Sequence, residues 1–153
     1  MKIQALSALL FLLIAANEAK VWDKCELGRE MKSKGLDGFY GYPLGNWICM
    51  AFHESKYNSS AVSSSNTDGG VGFGIFQISS KYWCQYGKLY SENRCDKLCG
   101  SFLNDDISDD IECAKKMVNI SQGMHVCALE DGELEDVCQA VDSPLTMSNG
   151  RQG

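Results

Sequence analysis

The sequence predicts a small α+β domain stapled by disulfides. Three observations carry this. Apolar residues recur at helical spacing in separate segments. A Ser-, Asn- and Gly-rich stretch followed by a compact apolar run reads as short strands joined by turns. Eight cysteines, at positions 25, 49, 84, 95, 99, 113, 127 and 138, form an even set within 153 residues. In a secreted chain of this size such a set implies a disulfide framework whose pairing the count leaves open. Zinc is the competing use of cysteine. It is disfavoured because no Cys-x-x-Cys pair occurs and the two histidines stand apart.

The oxidising compartment is read from the first residues. Met1-Lys2 precedes an apolar run from Ala5 to Ala16, and Asn17-Glu18-Ala19 ends on a small residue. This predicts a secretory leader over residues 1–19 and an extracellular product. The apolar run is shorter than the roughly 20 residues a membrane span needs. The net charge is −6, and the leader's Lys2 and Glu18 cancel. An acidic surface argues against nucleic acid and against strong attraction to anionic membranes. The expectation is one monomeric domain without a membrane partner. Asn58-Ser59-Ser60 and Asn119-Ile120-Ser121 are N-glycosylation sequons.

The first helix is expected over residues 25–34, with Gly35 as its stop. Gly38, Gly41, Pro43 and Gly45 break the next stretch into turns. A second helix is expected from Leu44 to Ser55, with Trp47, Ile48, Ala51 and Phe52 on its apolar side. Trp47 reads as core. Ser59 to Gly72 should carry turns and short strands, and Gly74 to Ile78 suits a buried strand. Tyr82-Trp83 is either core or a sugar-stacking platform, and core is the commoner case. Ile107, Ile111, Ala114 and Val118 mark a third, amphipathic helix. Residues 20–126 form the domain. Residues 127–153 differ: the first part is acidic and weakly periodic, and the end from Ser143 is polar with Pro144 and two glycines.

Two places carry chemistry. Glu54 ends the apolar second helix, and a carboxyl held against apolar surface resists ionisation. That makes it a candidate proton donor, although a plain surface glutamate is the commoner reading. Asn104-Asp105-Asp106-Ile107-Ser108-Asp109-Asp110 crowds four carboxylates into seven residues. Ser108 as an N-cap with Asp109 and Asp110 at the positive helix end would account for it. So would a solvated face, or a Ca²⁺ site drawing on carboxylates and backbone carbonyls.

These segments together resemble the c-type lysozyme/α-lactalbumin family. The resemblance rests on Lys20-Val21-Trp22, Lys24-Cys25-Glu26-Leu27, Gly35-Leu36-Asp37-Gly38, Leu44-Gly45-Asn46-Trp47-Ile48-Cys49, His53-Glu54-Ser55, Asn66-Thr67-Asp68-Gly69, Phe73-Gly74-Ile75-Phe76-Gln77-Ile78, Trp83-Cys84 and Cys113-Ala114-Lys115-Lys116. It covers Lys20 to about Val126. It implies a helical lobe and a small antiparallel β lobe with a sugar-binding cleft between them. The implied bridges are Cys84–Cys99 and Cys95–Cys113, with Cys25 and Cys49 paired to cysteines near the C-terminus. Glu54 takes the place of the family's general acid, itself the standard case of a carboxyl raised by an apolar pocket. The second carboxylate that a retaining glycosidase needs falls at Gly72, which carries none. Asp68 is the nearest acid but aligns with a loop position that is not the nucleophile.

Asn66, Gln77, Tyr82 and Trp83 are the implied sugar contacts, with Tyr82 and Ser79 replacing a tryptophan and an asparagine of lysozymes. The family's calcium-binding members imply Ser101 (carbonyl), Asn104, Asp106 (carbonyl), Asp109 and Asp110 as Ca²⁺ ligands, Asn104 standing where an aspartate is usual. Phe52-His53 matches the region with which α-lactalbumin contacts a galactosyltransferase. The plainer account, Phe52 in the core and His53 on the helix surface, is preferred. After Met124 the family's Trp-rich helix is replaced. Either Cys127 and Cys138 are its last two cysteines across a deletion, or the family sequence stops near Val126 and the tail is unrelated. The tail's acidic, aperiodic composition favours the second.

Two functions compete. One is a secreted, antimicrobial muramidase acting on β-1,4-linked aminosugar glycan, its hydrolysis weak or absent because of Gly72. The other is a non-catalytic, calcium-binding, α-lactalbumin-like protein that binds sugar or modulates a glycosyltransferase.

Overall fold

The computed structural model describes residues 20–64, 69–121 and 123. The leader, Asn66-Thr67-Asp68, Cys127, Cys138 and the rest of the tail therefore lie outside the described residues. Among the described residues three α-helices and a three-stranded antiparallel sheet make up the α+β fold. None of the helices is long and apolar enough to cross a membrane.

Helix α1 spans Lys24–Ser33. Asp23 caps it by accepting from the backbone N–H groups of Cys25 and Glu26 at 3.0 and 3.1 Å. It stops at Gly35, whose φ of +78° is a left-handed conformation that glycine adopts without strain. Helix α2 spans Leu44–Ser55, the predicted boundaries, and follows Pro43. Gly28 lets the two helices approach closely: a Cβ there would lie 3.0 Å from Ile48 Cδ1. Trp47 is fully buried among Phe39, Tyr42 and Phe76, in the core as expected. Phe52 is not in the core. It is 41% exposed, packed against Tyr57 with the Lys56 ammonium over its ring. Its neighbours Ala51 and Ser55 are the residues that turn inward.

Helix α3 spans Ser108–Ile120 and buries Ile111, Ala114 and Val118, with Ile107 buried just before it. Ser108, one candidate for the cap, does not take that position. Ile107 holds the cap position, and Asp106 Oδ1 accepts from the Ser108 backbone N–H at 3.0 Å and from its hydroxyl at 2.6 Å. These bonds to the charged form hold the Asp106 carboxyl below its usual range.

Strands β1 (Val62–Ser63), β2 (Gly72–Phe73) and β3 (Ile78–Ser79) pair in order. The expected strand over Gly74–Ile78 is a tight turn for its first four residues, and only Ile78 joins β3. Gly74 at φ +74° and Gln77 at φ +50° cannot continue a strand. The run is apolar because the turn is buried: Ile75 and Phe76 belong to the core.

Cys84 bridges Cys99, and Cys95 bridges Cys113, as the resemblance implies. Cys25 and Cys49 are also bridged, and neither partner lies among the described residues. Closing the 15-residue Cys84–Cys99 interval stabilises by about 3 kcal/mol in the chain-entropy account.

Candidate functional site

Glu54 is the last residue but one of α2. The next residue fixes that helix end to the β lobe. The buried Ser55 hydroxyl shares its one hydrogen between the Ile75 carbonyl at 2.8 Å and the Ala51 carbonyl at 3.0 Å. Helical spacing places position 55 on the buried side with 47, 48 and 51, so a polar residue there is the signal the sequence offered for this tether. Glu54 remains exposed by surface area. Partial desolvation nevertheless raises its pKa above the ordinary 4.5, and His53 opposes the rise. Exposure decides the outcome here. The carboxyl is both accessible and held toward its protonated form, as a general acid must be.

Gly72 lies at the centre of the sheet, opposite Ser63 on β1 and Ser79 on β3. Its backbone is not left-handed, so an L-residue fits the conformation. A side chain there would share its face with those of Ser63 and Ser79, because directly opposed residues point the same way. Glycine leaves that face of β2 without a side chain at position 72.

Gln77 is less available than a sugar contact should be. Its amide donates to the Ala61 and Gly74 carbonyls at 3.0 Å each, bracing the turn, while its Oε1 is buried without a partner among the described residues. Trp83 is 8% exposed and Tyr82 half-buried. A short ladder secures them: the N–H groups of Arg94 and Cys95 donate to the Tyr82 and Trp83 carbonyls at 2.9 Å. Arg94 is the residue that sequence reading missed. Its guanidinium stands 5.4 Å from the Trp83 ring centroid and 6.0 Å from that of Tyr82, and Glu92 pins it at 2.6 Å. Lys81 also lies over Tyr82, at 5.3 Å. The aromatic wall is thus flanked by cations. Nothing in the sequence spacing announces this, since the ladder sets Arg94 beside residues 11 and 12 positions earlier.

The acidic segment divides. Asn104 Oδ1 accepts from the Asp106 N–H at 3.1 Å, and Asp109 pairs with Lys97 at 2.8 Å. Asn104 and Asp106 are exposed, and Ser101 is half-buried in the turn before them. Asp110 is different. It is fully buried, and among the described residues neither carboxylate oxygen has a hydrogen-bond partner. Burial pushes its carboxyl well above the ordinary 3.8. The N–H groups of Asp110 itself and of Ile75 pull the other way without reaching hydrogen-bond geometry, and Asp109 and Asp106 add to the rise. Gly74 is wedged against this acid. A Cβ on it would come 2.6 Å from Asp110 Oδ1 and 2.1 Å from the Phe102 carbonyl oxygen. One buried turn therefore touches Asp110 at Gly74 and receives the Ser55 hydroxyl at Ile75.

Comparison with known proteins agrees with this architecture. The C-type lysozyme/alpha-lactalbumin family model matches residues 20–138, running past Val126 as far as Cys138. The milk isozyme of lysozyme C from Canis lupus familiaris is 49% identical over 105 residues, 69% of this chain and 81% of the relative. Lysozyme-like protein 2 of Homo sapiens is 42% identical over 125 residues, 82% and 84% of the two chains. The holo-type crystal structure of canine milk lysozyme superposes with a TM-score of 0.73 at 42% identity, covering 78% of this chain and 98% of that one. Fold, disulfides and sequence place the chain in one group: it belongs to the C-type lysozyme/alpha-lactalbumin family.

Proposed function

We propose that this c-type lysozyme-like protein is secreted and monomeric, and binds β-1,4-linked aminosugar glycan with weak or absent hydrolysis. The observation that carries the reading is the pairing of an accessible acid with raised pKa at Glu54 with a glycine at the centre of the sheet, at position 72. Glu54 can protonate a glycosidic oxygen. Gly72 has no side chain to attack the anomeric carbon or to balance the developing oxocarbenium charge, and retaining hydrolysis needs both carboxylates. Tyr82, half-buried beside the buried Trp83, has the ring face on which a sugar can stack. Turbidity clearing of bacterial cell walls tests the reading. Parent protein should clear little, and robust clearing abolished by Glu54→Gln would refute it.

The alternative is an α-lactalbumin-like modulator of a glycosyltransferase. It is favoured by the exposed Phe52 and by a 390 Å³ pocket that Phe52 lines with His53, Tyr57, Lys24 and Cys49.

We also propose a structural Ca²⁺ held by the Asn104 amide, the Asp109 and Asp110 carboxylates and the carbonyls of Ser101 and Asp106. The orphaned carboxylate of Asp110 fits a cation, since a buried unpaired charge is otherwise expensive. Asp109 would exchange Lys97 for the metal. Bound calcium would supply the positive charge that neutralises this acidic turn.

The bridged state of Cys25 and Cys49 and the family match as far as Cys138 support Cys127 and Cys138 as their partners. Disulfide mapping by mass spectrometry tests that pairing against an unrelated tail.

A further inference from the structure

We infer that Asn119 is the N-glycosylation site of this protein. The inference rests on the proposal that the chain is secreted, because the modification occurs only during passage through the secretory lumen. Asn119-Ile120-Ser121 satisfies the acceptor pattern, and so does Asn58-Ser59-Ser60. The fold separates the two.

Asn119, Ile120 and Ser121 are all exposed, at the C-terminal end of α3, and Ile120 leaves 52% of its surface to solvent. A sugar on Asn119 stands in water and covers part of that apolar side chain. Asn58 is knit into the structure. It bridges Val21 and its Oδ1 accepts from the Ser60 N–H and hydroxyl, both at 3.0 Å. Ser59, the middle residue, is fully buried and exchanges hydrogen bonds with Lys20. A glycan at Asn58 would crowd the seam that ties residues 20–22 to the rest of the domain.

In the transfer, Asn119 Nδ2 forms a bond to the anomeric carbon of a lipid-pyrophosphate-linked oligosaccharide. The bond from that carbon to the pyrophosphate oxygen breaks and the lipid pyrophosphate leaves. The amide proton passes to a base of the transferase.

The test is expression of the full chain in cultured mammalian cells. The secreted protein is treated with peptide N-glycosidase in ¹⁸O-water and mapped by mass spectrometry. The expected result is a mass decrease on treatment and heavy-oxygen aspartate at position 119. That mass decrease should vanish entirely in Asn119→Gln and Ser121→Ala, return in Ser121→Thr and persist in Asn58→Gln. A secreted protein with no mass change, or labelled only at position 58, overturns the site. A chain retained in the cytosol, and degraded by protease when synthesised with microsomes, overturns the secretion reading and the site with it.

Discussion

Glu54 and Asp110 are both carboxyls raised by desolvation, and one buried turn touches Asp110 at Gly74 and the residue after Glu54 at Ile75. Glu54 follows a helix end that Ser55 ties to Ile75, and it keeps contact with solvent. Asp110 lies against Gly74, fully buried and without a hydrogen-bond partner among the described residues. The same physical cause has different consequences. An accessible acid that resists ionisation can hand over a proton, whereas an inaccessible one is a liability until a cation or proton neutralises it. The difference separates an acid that can exchange a proton with solvent from one that weighs on stability.

The shared turn is the place to break the arrangement. Gly74→Ala puts a Cβ against the Phe102 carbonyl and forces a left-handed alanine. It should cost about 2–5 kcal/mol, combining backbone strain with overpacking, as read by denaturant unfolding. A loss under 1 kcal/mol would mean that the turn is not clamped.

Asp110→Asn sharpens the contrast from the other side. With Ca²⁺ at a hundredfold excess over its dissociation constant the parent gains about 2.7 kcal/mol. The variant should lose most of that gain, yet match or exceed the parent in chelator, where it no longer buries an unpaired carboxyl. A parent melting temperature indifferent to chelator contradicts the calcium proposal. Ser55→Ala leaves the Ile75 carbonyl without its buried donor and should cost about 1–3 kcal/mol.

The smallest effect is the pH dependence at Glu54. A carboxyl raised in the folded state binds more protons folded than unfolded, so its contribution to stability falls as pH rises. The decline begins near the unfolded value of 4.5 and is complete above the raised folded value. Melting temperatures of parent and Glu54→Gln, measured across that window, should lose this slope in the variant.

Much of this was legible in the sequence. Helix α2 is marked by Trp47, Ile48, Ala51 and Phe52 at helical spacing, and its predicted and observed limits coincide. Two of the disulfides followed from the family resemblance. The turn at Gly74–Gln77 was not legible, because a buried turn and a buried strand share an apolar composition. Only the proximity of Phe102 and Asp110 shows why residue 74 must be glycine. Phe52 misled for a similar reason: apolar residues on a helix flank are exposed or buried according to what packs there. Arg94 acquires its place beside Tyr82 and Trp83 through tertiary pairing, which no local pattern encodes.

The central claim is that the acid is present and its partner carboxylate is absent. Clearing of peptidoglycan by four proteins tests it most directly: parent, Glu54→Gln, Gly72→Asp and the double variant. The parent should be nearly inactive, and Gly72→Asp should gain activity that Glu54→Gln removes again, by about 10²–10⁴-fold for loss of a general acid. Strong clearing by the parent, lost in Glu54→Gln and unimproved by Gly72→Asp, would contradict it.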